Sequence, residues 1–360
     1  MNGHAPGVSM NTTAASVPAW FASLGVDEDL IQPALAAATV YGADAAELYF
    51  QHSTSTSLGM SDRKVNRAHT SVDLGVGVRV VVGDQVGYAY TEDLSLSSVI
   101  EAARTAAQIA RHAPGAAPVL VDTTIRRPDH YPTSRLWSDV ELHERLPMMR
   151  TWESGAFDAD PRVHKVQVSL GDGETRVLIA RADGRRTWDY RPMTRAYLGV
   201  TIQDGAQRET GSYNVSARED LSYYNPARQK RIVDLAVERA TRALTAGSPP
   251  AGELPVVMAA GSSGILLHEA IGHGLEADFN RKGISIFADK VGSAIAIDEV
   301  TIVDDATIPG ARGSLNIDDE GNPTERTVLV EHGTLKGYLH DDISAKHYGC
   351  LLYTSDAADE

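Results

Sequence analysis

Between residues 72 and 82 the chain places an apolar side chain at every second position: Val72, Leu74, Val76, Val78, Val80 and Val82. A period of two is that of a strand with one buried face. Gly83-Asp84 follows, and then Val86 to Tyr90, which predicts a hairpin. Glu47 to His52 reads as a further short strand. Helices are predicted on both sides. Over Trp20 to Val40, Leu30, Ile31, Ala34, Leu35 and Ala38 recur at helical spacing. Leu96 to Arg111 is Ala-rich, with Val99, Ala103, Ala106, Ala107 and Ala110 on one side. Residues 18–118 are therefore expected to form an N-terminal α/β domain, closed by a linker at His112 to Pro118. Residues 1–17, rich in small polar residues, read as a disordered tail.

A second, strand-rich domain is expected over 125–246. It opens with a helix near Trp137 to Met149 and continues with strands at Lys165–Leu170, Thr175–Ala180, Thr187–Tyr190 and Ala196–Gln203. Gly171-Asp172-Gly173, Asp183-Gly184 and Asp204-Gly205 read as turns between them, which suits an antiparallel sheet. A long helix closes the region from Pro226 to Leu244. Its apolar stripe is Ile232, Val233, Ala236, Val237, Ala240 and Leu244, and proline suits its first turn. Gly247-Ser248-Pro249-Pro250 is the clearest domain boundary, and the sequence shows no internal repeat.

Composition narrows the class. Lys plus Arg number 33 against 48 Asp plus Glu, a net charge of −15 that argues against a nucleic-acid binder. With 42% hydrophobic and 22% charged residues, the 360-residue chain falls in the ordinary globular range, with room for two or three domains. No apolar run reaches the roughly 18 residues that a membrane helix needs. Met1 to Pro18 holds no Lys or Arg and no apolar stretch, unlike a secretory signal. Cys350 is alone and cannot form an internal disulfide, so a cytoplasmic location is expected.

The third region, 251–349, carries the chemistry. Leu254 to Met258 reads as a strand and Gly261 to Gly264 as a turn. A helix then starts near Ile265, with Ser262 or Ser263 as its N-cap. That helix contains His268-Glu269-Ala270-Ile271-Gly272-His273. In the HExxH zinc signature the histidines lie four residues apart, about 400° of rotation, and share a face. Here they lie five apart, leaving them about 140° apart on a regular helix. One π-bulge or a break in the turn would bring them together, and Gly272 and Gly274 make such a distortion cheap. His268 and His273 would then hold Zn²⁺, with Glu269 as general base and acid.

The surrounding sequence, His268-Glu-Ala-Ile-Gly-His-Gly-Leu-Glu-Ala-Asp278, closely resembles the TldD proteins of the TldD/PmbA family, metalloproteases once labelled modulators of DNA gyrase. The resemblance continues through Phe279-Asn280-Arg281-Lys282-Gly283, Val303-Asp304-Asp305, Arg312-Gly313-Ser314, Asp318 to Pro323 and Gly333 to Tyr338. Upstream, Gly75-Val-Gly77-Val-Arg79 and Gly87-Tyr88-Ala89-Tyr90 resemble the family's N-terminal domain.

The resemblance spans roughly residues 25–349. It implies an α/β (α+β) protein: a mixed N-terminal domain, an antiparallel-sheet middle and a β-rich metalloprotease domain. It further implies a cytoplasmic zinc endopeptidase subunit that cuts flexible or unfolded peptides, such as precursors of modified antibacterial peptides or an antitoxin. His268 and His273 match the metal-binding histidines and Glu269 the catalytic glutamate. The partner it implies is a sister subunit, TldE (PmbA), which lacks the metal motif. Neither a membrane nor direct nucleic-acid binding is expected. The rivals are a non-catalytic assembly subunit and a regulator acting on gyrase or DNA.

The family's third ligand is a cysteine far downstream, and Cys350 comes too early to match it. Residues 350–360 do not continue the family pattern and read as a non-native tail on a C-terminally truncated chain, expected to be inactive alone. Elsewhere the plainer readings lead. Glu276 and Asp278 read as solvated carboxylates, with a supporting or ligand role for Glu276 as the sharper alternative. Arg281 and Lys282 suit a helix C-terminus, and Asp318-Asp319-Glu320 an acidic turn. His332, His340 and His347 read as ordinary polar residues, and Tyr88, Tyr90 and Trp188 as packing residues.

Overall fold

The computed structural model describes residues 17–111, 128–261 and 263–350. The tail over 1–16, the linker over 112–118, Ser262 as an N-cap and the stretch 351–360 lie outside the described residues. The chain is α+β and divides into two compact units. One comprises the described residues up to Ser248 together with Ile308–Ser314, and the other comprises Pro249–Thr307 with the residues after Ser314.

In the first unit, α1 (Val17–Ala22) and α2 (Glu28–Ala38) replace the single helix expected over Trp20 to Val40. The chain breaks at Gly25, whose φ of 82° suits a residue without Cβ. Asp27 then caps α2, accepting hydrogen bonds from the Asp29 and Leu30 amides. Val17, assigned to the tail by sequence, is fully buried in α1. Three strands follow, β1 (Ala45–Ser61), β2 (Lys64–Val82) and β3 (Gln85–Thr91), and then α3 (Leu96–Ala110), capped by Ser95.

The pattern then recurs with α4 (Leu142–Ala159), β4 (Val163–Arg181), β5 (Arg186–Asp204), β6 (Gln207–Ala217) and α5 (Pro226–Thr245). All six strands form one antiparallel sheet of order β3-β2-β1-β4-β5-β6. Two helix–three-strand–helix halves thus meet at the central β1–β4 pair. No sequence repeat announces this, yet the halves share a packing device. A Cβ on Gly87 in β3 would lie 1.9 Å from the Ala106 carbonyl of α3, and one on Gly211 in β6 would lie 2.1 Å from the Ala240 amide of α5. Each outer strand admits its helix only because glycine stands there.

Several strands outrun their sequence signal. β1 extends well beyond His52 through a run of Ser and Thr that carries no apolar pattern. Gly171 and Gly173 are not a turn, because β4 runs straight through them, paired with Ser57 and Ser55 of β1. The four expected middle strands are therefore two long ones, and β6 is an addition. Only Asp183-Gly184 and Asp204-Gly205 turn the chain, with φ of 97° and 59° at the two glycines.

Every described helix of this unit covers the same sheet face. Leu48, Phe50, Val76, Val78 and Leu178 pack with α1, α2 and α3, while Leu58, Val168, Leu170, Leu198 and Val200 pack with α4 and α5. Val72, the first residue of the alternation, lies beyond this cover and is 62% exposed. Buried between helices and sheet, Arg145 of α4 grips Asp172 of β4 with two hydrogen bonds of 2.8 and 2.9 Å.

The second unit is thinner. It holds α6 (Ser263–Leu267), α7 (Ala277–Arg281), a three-stranded sheet of β7 (Ile302–Asp305), β8 (Arg326–Glu331) and β9 (Thr334–Leu335), and α8 (Asp342–Tyr348). Its core is Leu275, Ala277, Leu329, Val330, Leu335 and Tyr338. The strand expected over Leu254–Met258 does not form, and Val256, Val257 and Met258 are exposed. Pro255 lies inside this run and cannot donate a ladder hydrogen bond. Among the described residues no helix is long and apolar enough to cross a membrane.

Candidate metal centre

The second unit presents His268, Glu269 and His273 on a short, irregular helical stretch. α6 starts with the Ser263 hydroxyl donating to the Ala259 carbonyl, so Ser263 lies inside the first turn and does not act as an acceptor cap. At His268 the winding loosens. Residues His268–Gly272 form a π-turn, in which the His273 amide donates to the His268 carbonyl five residues back. A wider turn brings positions five apart onto one face. The two imidazole centroids lie 4.4 Å apart, with planes inclined at 66°. One ligand atom from each of His268, Glu269 and His273 falls within 4.8 Å of the others, and all three side chains are exposed.

The glycines act through space. Gly272 keeps an ordinary right-handed φ of −54°, so conformational freedom is not its contribution. A Cβ there would press to 3.2 Å from the His268 ring, and a Cβ on Gly274 would lie 2.9 Å from the Phe287 ring. Gly272 thus leaves room for the His268 ring and Gly274 for the Phe287 ring.

After one 3₁₀ turn, His273–Leu275, the backbone becomes extended at Glu276. It is tied down there by the Ala277 amide donating to Leu339 and the Leu339 amide donating to Leu275, at 2.8 and 2.9 Å. The buried Asn280 amide donates to the Gly274 and Glu276 carbonyls at 2.9 and 2.8 Å. The Ser285 hydroxyl donates to the same Gly274 carbonyl at 2.6 Å. These bonds hold Glu276 where its carboxylate meets His273 Nδ1 at 2.6 Å. Glu276 is therefore a partner of the histidine, where sequence favoured a solvated carboxylate. Nδ1 is engaged, and Nε2 faces Glu269 at 3.9 Å.

A cavity of about 240 Å³ adjoins the turn, lined in part by Leu267, His268, Ile271, Glu276 and Asp304. Burial and the neighbouring Asp305 push the Asp304 carboxyl up, and His268 opposes them. Sequence reasoning gave Asp304, Asn280 and Ser285 no role. For Asp304 and Asn280 the signal was membership of the same motif runs.

The remaining candidates fall elsewhere. Asp278 pairs with Lys282 at 3.2 Å, one helical turn away. The Gly264 amide donates to Gly261, closing a plain turn. Asp318 accepts from the Glu320 and Asn322 amides and so organises an acidic turn. Cys350 is exposed and lines a different cavity, beside Asp318 and His340. Tyr88 and Tyr90 stand outside the cores, 58% and 72% exposed and stacked on each other with centroids 6.5 Å apart, whereas Trp188 packs against the first core.

Three profiles of one family align in order along the chain: PmbA/TldA metallopeptidase domain 1 over 46–110, the central domain over 135–244 and the C-terminal domain over 251–355. The chain belongs to the TldD/PmbA family of metallopeptidases. It is 36% identical over 316 residues to the metalloprotease TldD homolog of Haemophilus influenzae, a match covering 85% of this chain and 65% of that protein. It thus spans a little under two thirds of that relative. A solved structure from Thermotoga maritima has the same fold at 21% identity, with a TM-score of 0.75 over 90% of this chain and 73% of that one. TldE from Thermococcus kodakarensis does so at 20% identity, with a TM-score of 0.65 over 90% and 71%.

Proposed function

We propose that this chain is a cytoplasmic zinc-dependent endopeptidase subunit that cleaves flexible or unfolded peptides and works with a TldE (PmbA)-like sister subunit. The observation that carries this reading is the convergence of His268, Glu269 and His273 on the π-turn. Two neutral imidazoles beside a carboxylate are a donor set suited to zinc. Zinc supplies Lewis acidity when bound, polarising a carbonyl and acidifying water.

The chain's own residues do the rest. His268 and His273 hold the ion. Glu276, bonded to His273 Nδ1, fixes that ring's tautomer and leaves Nε2 to ligate. Glu269, adjacent to His268 and 3.9 Å from His273, accepts the proton of water and returns it to the departing amine. Among the described residues two histidines serve as ligands, and catalytic zinc usually has three protein ligands, so the chain by itself is expected to be a poor enzyme. The fold shared with TldE makes a subunit of that kind the partner to test.

The deciding experiment is Glu269→Gln, assayed with a flexible peptide in the presence of the sister subunit. Zinc content should stay, while hydrolysis falls by about 10²–10⁴, the usual worth of a general base. Cleavage at the parent rate would remove Glu269 from this role.

A further inference from the structure

The sheet face that the helices leave open carries a groove of about 500 Å³ within the first unit. Strand register defines its construction. Ser55 and Ser57 of β1 stand opposite Gly173 and Gly171 of β4, which stand opposite Met193 and Arg195 of β5. The floor is therefore made of side chains too small to fill it. The wall is basic. Arg195 is paired across to Ser216 of β6, Arg218 follows two residues on, and Arg312 reaches the groove from the 308–314 segment of the same unit.

Acidic residues near these arginines are engaged elsewhere. Asp172 and Glu174 line the groove, yet their carboxylates are taken by Arg145 and Arg176. Asp189 is fully buried and pairs with Arg191 at 3.2 Å. Asp73, on the same face opposite Ser53, is three strands away from β5. Among the described residues, Arg195, Arg218 and Arg312 form no ion pair with a carboxylate, and the buried Nε of Arg218 has no hydrogen-bond partner. Burial pushes the Arg218 guanidinium down, and the neighbouring charges of Arg191 and Arg312 act in the same direction, while Tyr131 and Asp189 oppose them. In a chain of net charge −15, such a concentration of arginines without a carboxylate ion pair is not a general surface property.

We infer that this groove binds an extended acidic peptide segment, whose carboxylates meet Arg195, Arg218 and Arg312. Arg218 lies two residues beyond Ser216, the partner of Arg195, an offset along the strand of roughly 7 Å at the usual rise per residue. An extended peptide has the same rise, so its alternate side chains keep pace with the arginines, while the Ser and Gly floor leaves room for its backbone. Guanidinium groups favour carboxylates through paired, charge-assisted hydrogen bonds. The inference takes from the proposed function only that the ligand is a peptide.

Binding can be measured without hydrolysis, by fluorescence anisotropy with excess chelator. One labelled peptide alternates Glu and Ser, and its control carries Gln for Glu. The acidic peptide should bind about tenfold or more tighter than the control and weaken as salt rises. Arg195→Gln with Arg312→Gln, both exposed positions, should remove that preference, whereas Arg195→Lys with Arg312→Lys should keep most of it. Equal binding of the two peptides would overturn the assignment. So would undiminished acidic-peptide binding by the Gln pair, or displacement of the peptide by submillimolar inorganic phosphate, which would mark a small-anion site. Because chelator is present throughout, a failure at Glu269 leaves this test intact, and the reverse holds as well.

Discussion

The two compact units solve the problem of apolar residues in opposite ways. In the first, the alternating strands and the helix stripes meet, so that Leu48, Val78, Leu170, Val200 and Ala236 are all fully buried. In the second, the six-residue core leaves Ile265, Leu266 and the run Val256–Met258 exposed, with Val257 at 97%. The contrast teaches that core packing, which reaches the candidate metal centre through Leu275 and Ala277, does not by itself shape it. It is shaped further by hydrogen bonds from side chains and backbone to the carbonyls of Gly274, Leu275 and Glu276 and by two glycines that leave room for rings. The scaffold stores its information in side-chain volume, and the site stores it in backbone geometry.

This contrast can be pressed from the scaffold side first. Arg145→Met would leave the Asp172 carboxylate buried without its guanidinium, since the two side chains are only 8% and 3% exposed. Removing one partner of a buried pair costs about 3–5 kcal/mol. The melting transition of the first unit should fall steeply, while hydrogen exchange around His268 to Glu276 stays as in the parent. A parallel loss of protection in both units would mean that they do not behave as separate cores.

A smaller effect is expected at the helix–strand contacts. Gly87→Ala forces a methyl group toward the Ala106 carbonyl, and overpacking of this kind costs about 1–3 kcal/mol. Denaturant unfolding should show the loss in the first unit's transition. If Gly87→Ala melts like the parent, α3 can move off β3 and the contact is looser than described.

The smallest effect belongs to the second unit. Val257→Ser exchanges an exposed apolar side chain for a polar one and should change stability by no more than about 0.5 kcal/mol. Its readout is solubility, which should improve as the apolar patch shrinks. A large destabilisation would show that Val257 is packed in solution.

What was readable in the sequence follows the same division. The stripe of α5 and the alternation of β2 could be read because burial there repeats with a fixed period. The extension of β1 through Ser53, Ser55 and Ser57, and the passage of β4 through Gly171 and Gly173, could not be. On an uncovered sheet face, small and polar residues carry no periodic apolar signal, and glycine looks like a turn. The two-half architecture was hidden for a related reason. It is fixed by pairing order and by single close contacts at Gly87 and Gly211, neither of which leaves a sequence repeat.

At the candidate centre, the five-residue spacing of His268 and His273 was enough to require a distorted turn, and a π-turn is what the chain forms there. The bond between Glu276 and His273 was only one of two open readings, because it depends on an extended residue held by distant Leu339. Asp304 stood in a motif run, but its place beside His268 could not be read, since it arrives there from β7, far along the chain.

The central claim is that the π-turn makes His268 and His273 two ligands of one ion. It is tested most directly by zinc titration of the chain alongside His268→Ala, His273→Ala and Glu269→Gln, with metal content measured after dialysis. The account predicts one zinc site, weakened severely and to a similar degree by either histidine substitution and preserved by Glu269→Gln. Zinc retained at parental affinity in His273→Ala would contradict it.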